Sequence, residues 1–116
     1  MSNEFPFKIE TLLEQCGGNR SIGRVILDEF LVQIVVDTQE IATCLANGHL
    51  TQAGKIGHRL KGTASVLGAE KLHALCAGIE TAGINEQTEE LTQLCNELKT
   101  EADRCAAAVP DARTRL

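Results

Sequence analysis

His58 is the residue of this chain whose type and surroundings best suit nucleophilic chemistry. Free imidazole has a pKa of about 6.5, so an exposed histidine is a competent nucleophile near neutral pH without a buried base. Lys61 follows one helical turn later on the same side, where its ammonium can stabilise an oxyanion attached to the ring. Gly54 and Gly62 lie one turn before and after His58, and each costs roughly 1 kcal/mol relative to alanine in a helix interior. This spacing predicts a histidine displayed to a large partner on a surface stripped of neighbouring side chains.

Three further polar residues surround this histidine on a helical wheel. Lys55, one turn back, and Arg59 are candidates for charge stabilisation and for partner docking. Ser65, about two turns on and on nearly the same face, can donate a hydrogen bond to an oxyanion or to a loop of the partner. The wheel therefore predicts a docking surface around His58 that comprises Gly54, Lys55, Arg59, Gly62 and Ser65.

A metal or cofactor bundle is the rival interpretation of the histidines and cysteines. Neither a His nor a Cys lies three or four residues from His58, which disfavours a metal site there. The five cysteines contain no CxxC pair, and their odd number disfavours a closed disulfide framework. Cys76 and Cys95 occupy apolar helical positions and are predicted to be small core residues. His49 and His73 lack a comparable setting and are predicted to be ordinary surface residues.

Composition restricts the class of protein and its partners. A chain of 116 residues with 43% hydrophobic and 23% charged residues suits one globular domain, and the scarcity of aromatics, at 3%, predicts an aliphatic core. A net charge of -5 argues against general binding to nucleic acid or to an anionic membrane. No apolar run is long enough to span a membrane, and the first residues lack the layout of a signal peptide. We therefore expect a cytoplasmic, free-standing protein.

The elements that position His58 follow from helical periodicity and from capping residues. No segment shows the sustained alternation of a strand. Five helices are predicted: a short one through Ile9 to Leu13, a long one from after Asn19 to Asn47, two over 51–67 and 69–82, and a last one that ends before Pro110. Short links favour antiparallel neighbours. The predicted fold is an all-α, up-down antiparallel four-helix bundle with a short additional N-terminal helix, comprising one domain over 1–108 and a flexible C-terminal tail over 109–116.

The segment from His58 to Ala69 closely resembles the signature of histidine-containing phosphotransfer (HPt) domains. It reads H-R-L-K-G-T-A-S-V-L-G-A and continues to Leu72, Cys76, Ile79 and Glu80. The resemblance extends upstream to Leu12–Asn19 and covers about residues 7 to 106. It departs from the usual pattern at Gly57, where the family usually has alanine, and Gly54 adds a further glycine to this helix.

This resemblance implies a phosphorelay intermediate with His58 as phosphoacceptor. The histidine would accept a phosphoryl group from the aspartyl phosphate of a receiver domain and transfer it reversibly to an aspartate of another receiver. Lys61 would stabilise the phosphohistidine, Gly62 would let the receiver approach, Gly68 would form the turn into the next helix, and Glu80 would orient the imidazole unless it is simply solvated. Nε2 of His58 is the nitrogen expected to react.

The resemblance also sets expectations for cofactors and partners. The partners would be receiver domains of response regulators or of hybrid histidine kinases, with no nucleic acid and no membrane, and we expect a monomer. Mg²⁺ would be held by the acidic residues of the receiver, and no cofactor is expected on this chain. The sequence lacks the Gly-rich lid and paired acidic metal ligands of an ATP-dependent kinase. The alternative function is an HPt-like docking module that binds receivers or kinases without carrying phosphate.

Overall fold

The chain folds as five helices joined by short turns. The computed structural model describes residues 5–116, so residues 1–4 of the predicted domain lie outside the described part, and within this part there is no strand. The helices are α1 (Ile9–Gln15), α2 (Arg20–Ala46), α3 (Leu50–Leu67), α4 (Glu70–Ile84) and α5 (Thr88–Thr114). The predicted all-α class and the short N-terminal helix are therefore confirmed. None of the five helices has the length and apolar character that crossing a membrane requires.

Capping residues explain where α2 begins and where α2 and α3 end. The side chain of Asn19 accepts a hydrogen bond from the backbone N of Ile22 at 3.1 Å, which satisfies a free donor in the first turn of α2. Gly48 follows the end of α2 with φ of 73°, and Gly68 ends α3 with φ of 63°. Glycine adopts this left-handed conformation without the steric cost that a Cβ adds. These are the helix ends that the sequence predicts.

The four longer helices form a ring of packed neighbours around one core. α2 packs on α3, α3 on α4, α4 on α5, and α5 returns to α2, while α1 lies against α2 and α3. The buried apolar side chains form one cluster, which includes Ala53, Ile56 and Leu60 from the predicted apolar face of α3. This ring agrees with a four-helix bundle, and the up-and-down direction of its helices stays a prediction from the short connections.

The two cysteines predicted for the core are buried there. Cys76 is 0% exposed and Cys95 is 4% exposed, and both are free thiols. Burial, with a contribution from the charge of Asp37, raises the pKa of Cys76 to about 12. A thiol in such surroundings stays protonated, so these residues fill space rather than supply a nucleophile.

The register of α2 differs from the sequence prediction in its first half. Apolar spacing in the sequence predicts Ile22 and Val25 on the buried face of α2, but they are 47% and 55% exposed. Leu27 is instead fully buried and aligns with Phe30 and Ile34 on the face that packs against the core. The helix carries apolar residues on nearly all sides, so periodicity alone does not determine which of them the neighbouring helices cover.

The predicted flexible tail over 109–116 is wrong, because α5 continues through Pro110 to Thr114. Val109, Ala112 and Leu116 are all at most 5% exposed. The guanidinium of Arg24 donates a hydrogen bond to the backbone oxygen of Leu116 at 2.6 Å. A proline inside a helix removes one backbone hydrogen bond at a cost of about 3 kcal/mol, and the burial of these apolar side chains offsets it.

Candidate functional site

His58 lies on the outer face of α3, opposite the residues that the helix buries. Its side chain is 66% exposed. Leu60 and Ala64, on the other side of the same helix, are fully buried in the core. Among residues 5–116, no hydrogen-bond partner approaches its Nε2 atom. The ring therefore presents Nε2 to solvent, as an approaching macromolecule would require.

Glu80 of α4 joins the imidazole of His58 to the ammonium of Lys61. One carboxylate oxygen, Oε2, lies 2.7 Å from Nδ1 of His58, and the other, Oε1, accepts a hydrogen bond from Nζ of Lys61 at 2.6 Å. The side chains of Glu80 and Lys61 are only 22% and 28% exposed, so this contact is partly shielded from water. Two groups of α3 that the sequence predicts to act together are thus connected through one residue of the neighbouring helix.

The charge of Glu80 determines which ring nitrogen of His58 carries the hydrogen. The hydrogen bond from Lys61 is the main cause of a lowered pKa at Glu80, followed by an opposing effect of desolvation and by the hydrogen bond with His58. The carboxylate is therefore ionised near neutral pH and can only accept hydrogen bonds. Nδ1 must then be the donor, and in the neutral ring the lone pair is left on the exposed Nε2.

Arg59 points away from His58 and pairs with α2. Its guanidinium donates to Oδ1 of Asp37 at 2.6 Å and to Oε2 of Glu40 at 3.4 Å. Asp37 is 2% exposed, and its other oxygen accepts a hydrogen bond from the amide of Gln33 at 3.3 Å. Hydrogen bonding to Asp37 raises the pKa of Arg59. Arg59 was predicted only as a docking residue, and the structure gives it a structural contact as well.

The two glycines around His58 have different surroundings. At Gly62 an added Cβ would meet no atom within 4 Å, so the surface beyond His58 is open there. Gly54 is buried instead, and a Cβ would lie 3.0 Å from the carbonyl oxygen of Glu80 and 3.4 Å from Cα of Gly83. The prediction that Gly54 belongs to the docking surface is therefore wrong. This glycine allows the backbones of α3 and α4 to approach closely.

The close approach of α3 and α4 also explains the glycine at position 57, where the resemblance leads us to expect alanine. A Cβ at this position would lie 2.9 Å from Cγ2 of Ile79 and 3.1 Å from the carbonyl oxygen of Cys76. The close contact of α3 with α4 also brings the Glu80 carboxylate within reach of His58. The unusual glycine therefore belongs to the packing that assembles the site.

The remaining predicted docking residues lie on the exposed side of α3. Lys55 and Ser65 are both exposed. Ser65 also lines a cavity of about 320 Å³ that reaches Gly68 and His73. A larger cavity of about 660 Å³ lies between α2 and α5 and includes none of the residues around His58. The site is consequently an open surface rather than a pocket for a small molecule.

No group of three or more His, Cys, Asp or Glu side chains suited to hold a metal ion occurs within residues 5–116. The side chain of His58 forms a hydrogen bond with one carboxylate, that of Glu80, and with no other histidine among the described residues. The structure thus offers no support for a metal bundle built from the histidines and cysteines.

Sequence reasoning missed Asp37 and two exposed apolar residues on the helices that flank α3. Asp37 interrupts the apolar face of α2 between Ile34 and Ile41, and a carboxylate at such a position signals a buried partner. Val36 and Ile84 are 44% and 57% exposed, although both types normally favour the interior. No pattern in the sequence separates them from the buried residues of the same helices.

Comparisons with known proteins point to one family. A family model described as the Hpt domain matches residues 25–108. The crystal structure of histidine-containing phosphotransfer protein B (HptB) from Pseudomonas aeruginosa PAO1 matches with a TM-score of 0.86 and 20% sequence identity, and the match covers 99% of each chain. At this identity the likeness establishes a common fold. Among curated proteins none matches the chain.

Proposed function

The chain belongs to the Hpt domain family, and on that premise we propose that it is a phosphorelay intermediate with His58 as its phosphoacceptor. It accepts a phosphoryl group from the aspartyl phosphate of one receiver domain and transfers it reversibly to an aspartate of another. The observation that carries this proposal is the hydrogen bond of 2.7 Å between Nδ1 of His58 and Glu80. It orients the imidazole and leaves the exposed Nε2 with the lone pair that attacks phosphorus.

The transfer step needs no proton to move on this chain. The Nε2 lone pair forms the bond to phosphorus, while the acyl phosphate P–O bond breaks and its electron pair leaves with the carboxylate of the receiver. The ring keeps its hydrogen on Nδ1 and becomes cationic, beside the ionised Glu80. Lys61, at the edge of the same site, neutralises part of the charge on the phosphoryl oxygens. Mg²⁺ for this reaction belongs to the receiver.

Access to His58 is supported by the open surface on one side of the ring. The bare backbone at Gly62 leaves room for the loops of a folded receiver, and the exposed Lys55 and Ser65 lie around the same face. A docked receiver excludes water from the reacting groups, and this strengthens the electrostatic effect of Lys61.

Phosphorylation of purified variants tests this function. Incubation with a phosphorylated receiver is expected to label the wild-type chain with an acid-labile, alkali-stable phosphate, because phosphoramidate bonds of histidine have that stability. His58→Gln is expected to lose the label. His49→Gln, which changes another exposed histidine on the turn before α3, is the matched control and is expected to keep it.

Two results would contradict the proposal. Label that persists in His58→Gln would place the phosphate elsewhere. Binding of a receiver without transfer in either direction would favour a docking module that carries no phosphate.

A further inference from the structure

Glu80 carries a negative charge where orientation of the imidazole requires only a hydrogen-bond acceptor. A neutral amide oxygen in the same place would also accept the hydrogen bond from Nδ1 of His58. The carboxylate adds an ionic interaction with the ring once the ring is cationic, and it already holds Nζ of Lys61 at 2.6 Å. The consequences of this charge therefore extend to the phosphorylated state, in which the ring is cationic.

We propose that the carboxylate of Glu80 makes the phosphohistidine of this chain a fast phosphoryl donor with a short lifetime. This inference rests on the proposed function of His58. Glu80 acts as a positioning residue, since it touches the imidazole and Lys61 but not the phosphoryl group. It acts through both of these partners, and the two effects have the same direction.

The first effect is retention of the ring hydrogen. When the phosphoryl group leaves, the Nε2–P bond breaks and its electron pair returns to Nε2. If Nδ1 still carries its hydrogen, the leaving group is neutral imidazole, whereas without it the leaving group is the much more basic imidazolate anion. An ionised carboxylate at 2.7 Å from Nδ1 stabilises the protonated ring, so a larger fraction of the phosphohistidine is in the reactive form.

The second effect is competition for Lys61. In the unphosphorylated chain the ammonium donates to Oε1 of Glu80, and both side chains are partly buried. A phosphoryl group on Nε2 must share this cation with the carboxylate, or draw it away. In either case the lysine neutralises less of the charge on the phosphoryl oxygens than it would without Glu80. The remaining charge also favours departure of the phosphoryl group.

The charged groups around the ring are few. Lys61 and the exposed Lys55 are on α3 itself, and Glu80 faces the ring from α4. Asp37 and Glu40 of α2 face α3, where both are paired with Arg59. Glu80 is therefore the carboxylate in direct contact with His58, and changing its charge isolates the proposed effect.

The lifetime of the phosphohistidine in Glu80→Gln tests the proposal. The full chain is phosphorylated chemically with phosphoramidate, which needs no receiver, and its hydrolysis is followed across a pH series. At pH 8 we expect a half-life about tenfold longer in Glu80→Gln, because a neutral amide then replaces the charged acceptor of the Nδ1 hydrogen bond. The difference should shrink towards pH 5, where the ring is protonated in both proteins, to the part that comes from competition for Lys61. Transfer from phosphorylated Glu80→Gln to a receiver should be slower at pH 8.

Glu70→Gln is the matched control, because it removes one carboxylate from the exposed first turn of the same helix. Its half-life is expected to equal that of the wild type. Equal half-lives for wild type and Glu80→Gln at pH 8, or a longer half-life in the wild type, would overturn the proposal. Failure of Glu80→Gln to be phosphorylated by phosphoramidate would also overturn it, since it would assign Glu80 to acceptance. Failure of the wild type to accept phosphate from any receiver would instead count against the proposed function.

Discussion

Arg59 and Lys55 illustrate how neighbouring cations of one helix take different roles. Both were predicted to dock a partner from their places near His58. Arg59 is bound to the buried Asp37 at 2.6 Å, whereas Lys55 is exposed and forms no ion pair with the described residues. A buried carboxylate without its cation is unfavourable, so Arg59 is held in place by the cost of leaving Asp37 buried and unpaired.

At the residue scale we therefore predict that Arg59→Ala destabilises the fold. The expected loss is about 1–3 kcal/mol in the free energy of unfolding, because Asp37 keeps only its contact with Gln33. Lys55→Ala on the same helix should change stability by no more than about 0.5 kcal/mol. Urea denaturation of the two variants measures the difference, and equal stabilities would show that the pair with Asp37 contributes nothing.

At the scale of elements, the contact between α3 and α4 determines the site. Gly54, Gly57 and Gly83 line this contact, and a Cβ on any of them would come within 3.0 Å of an atom of the other helix. Three glycines cost helix propensity, but they bring the two backbones close enough for Glu80 to reach His58 and Lys61. The weakness of α3 that its glycines suggest is thus compensated by packing against α4.

Gly57→Ala and Gly62→Ala separate packing from helix propensity. Gly57→Ala should destabilise the fold by about 1–3 kcal/mol, because its Cβ would press on Ile79 and on the backbone at Cys76. Gly62→Ala should stabilise it by about 0.5–1 kcal/mol, because its Cβ meets open space and alanine is the better helix former. Thermal unfolding measures both changes. Stabilisation by Gly57→Ala would mean that α3 and α4 pack less closely.

At the scale of the whole molecule, the two ends of the described chain meet. The ring of Phe7 packs edge-on against Phe30 of α2 with 5.5 Å between ring centroids, and Phe5 packs against Phe7. The guanidinium of Arg115 lies 4.0 Å from the centroid of the Phe5 ring. Leu116 fills the space beside Gly23. All three phenylalanines of an otherwise aliphatic core are concentrated at this end of the fold.

Leu116→Ala tests whether the last residues belong to the folded domain. We expect a loss of about 2 kcal/mol, at the low end of the range for buried Leu→Ala substitutions, because the residue lies just beyond the end of α5. Thr100→Ala, at an exposed position of α5, should cause no loss of stability. Chemical denaturation distinguishes the two, and an unchanged stability in Leu116→Ala would restore the interpretation as a flexible tail.

The sequence by itself determined the local features of this protein. The helix ends at Asn19, Gly48 and Gly68 follow from capping and from left-handed glycines, and the exposure of His58 follows from the apolar period of α3. These features depend on residues within a turn or two of each other, so local rules are sufficient.

Only the tertiary structure decided how the helices meet and what that does to the site. Glu80 bridges to His58 and Lys61, and Asp37 pairs with Arg59, so each of these contacts joins residues from different helices. The burial of Gly54 and the continuation of α5 beyond Pro110 likewise depend on packing between helices. Helical periodicity indicates which face of a helix is apolar, but not how the helix is rotated or how closely it approaches its neighbour. In this protein the close approach of α3 and α4 converts an exposed histidine into an oriented one.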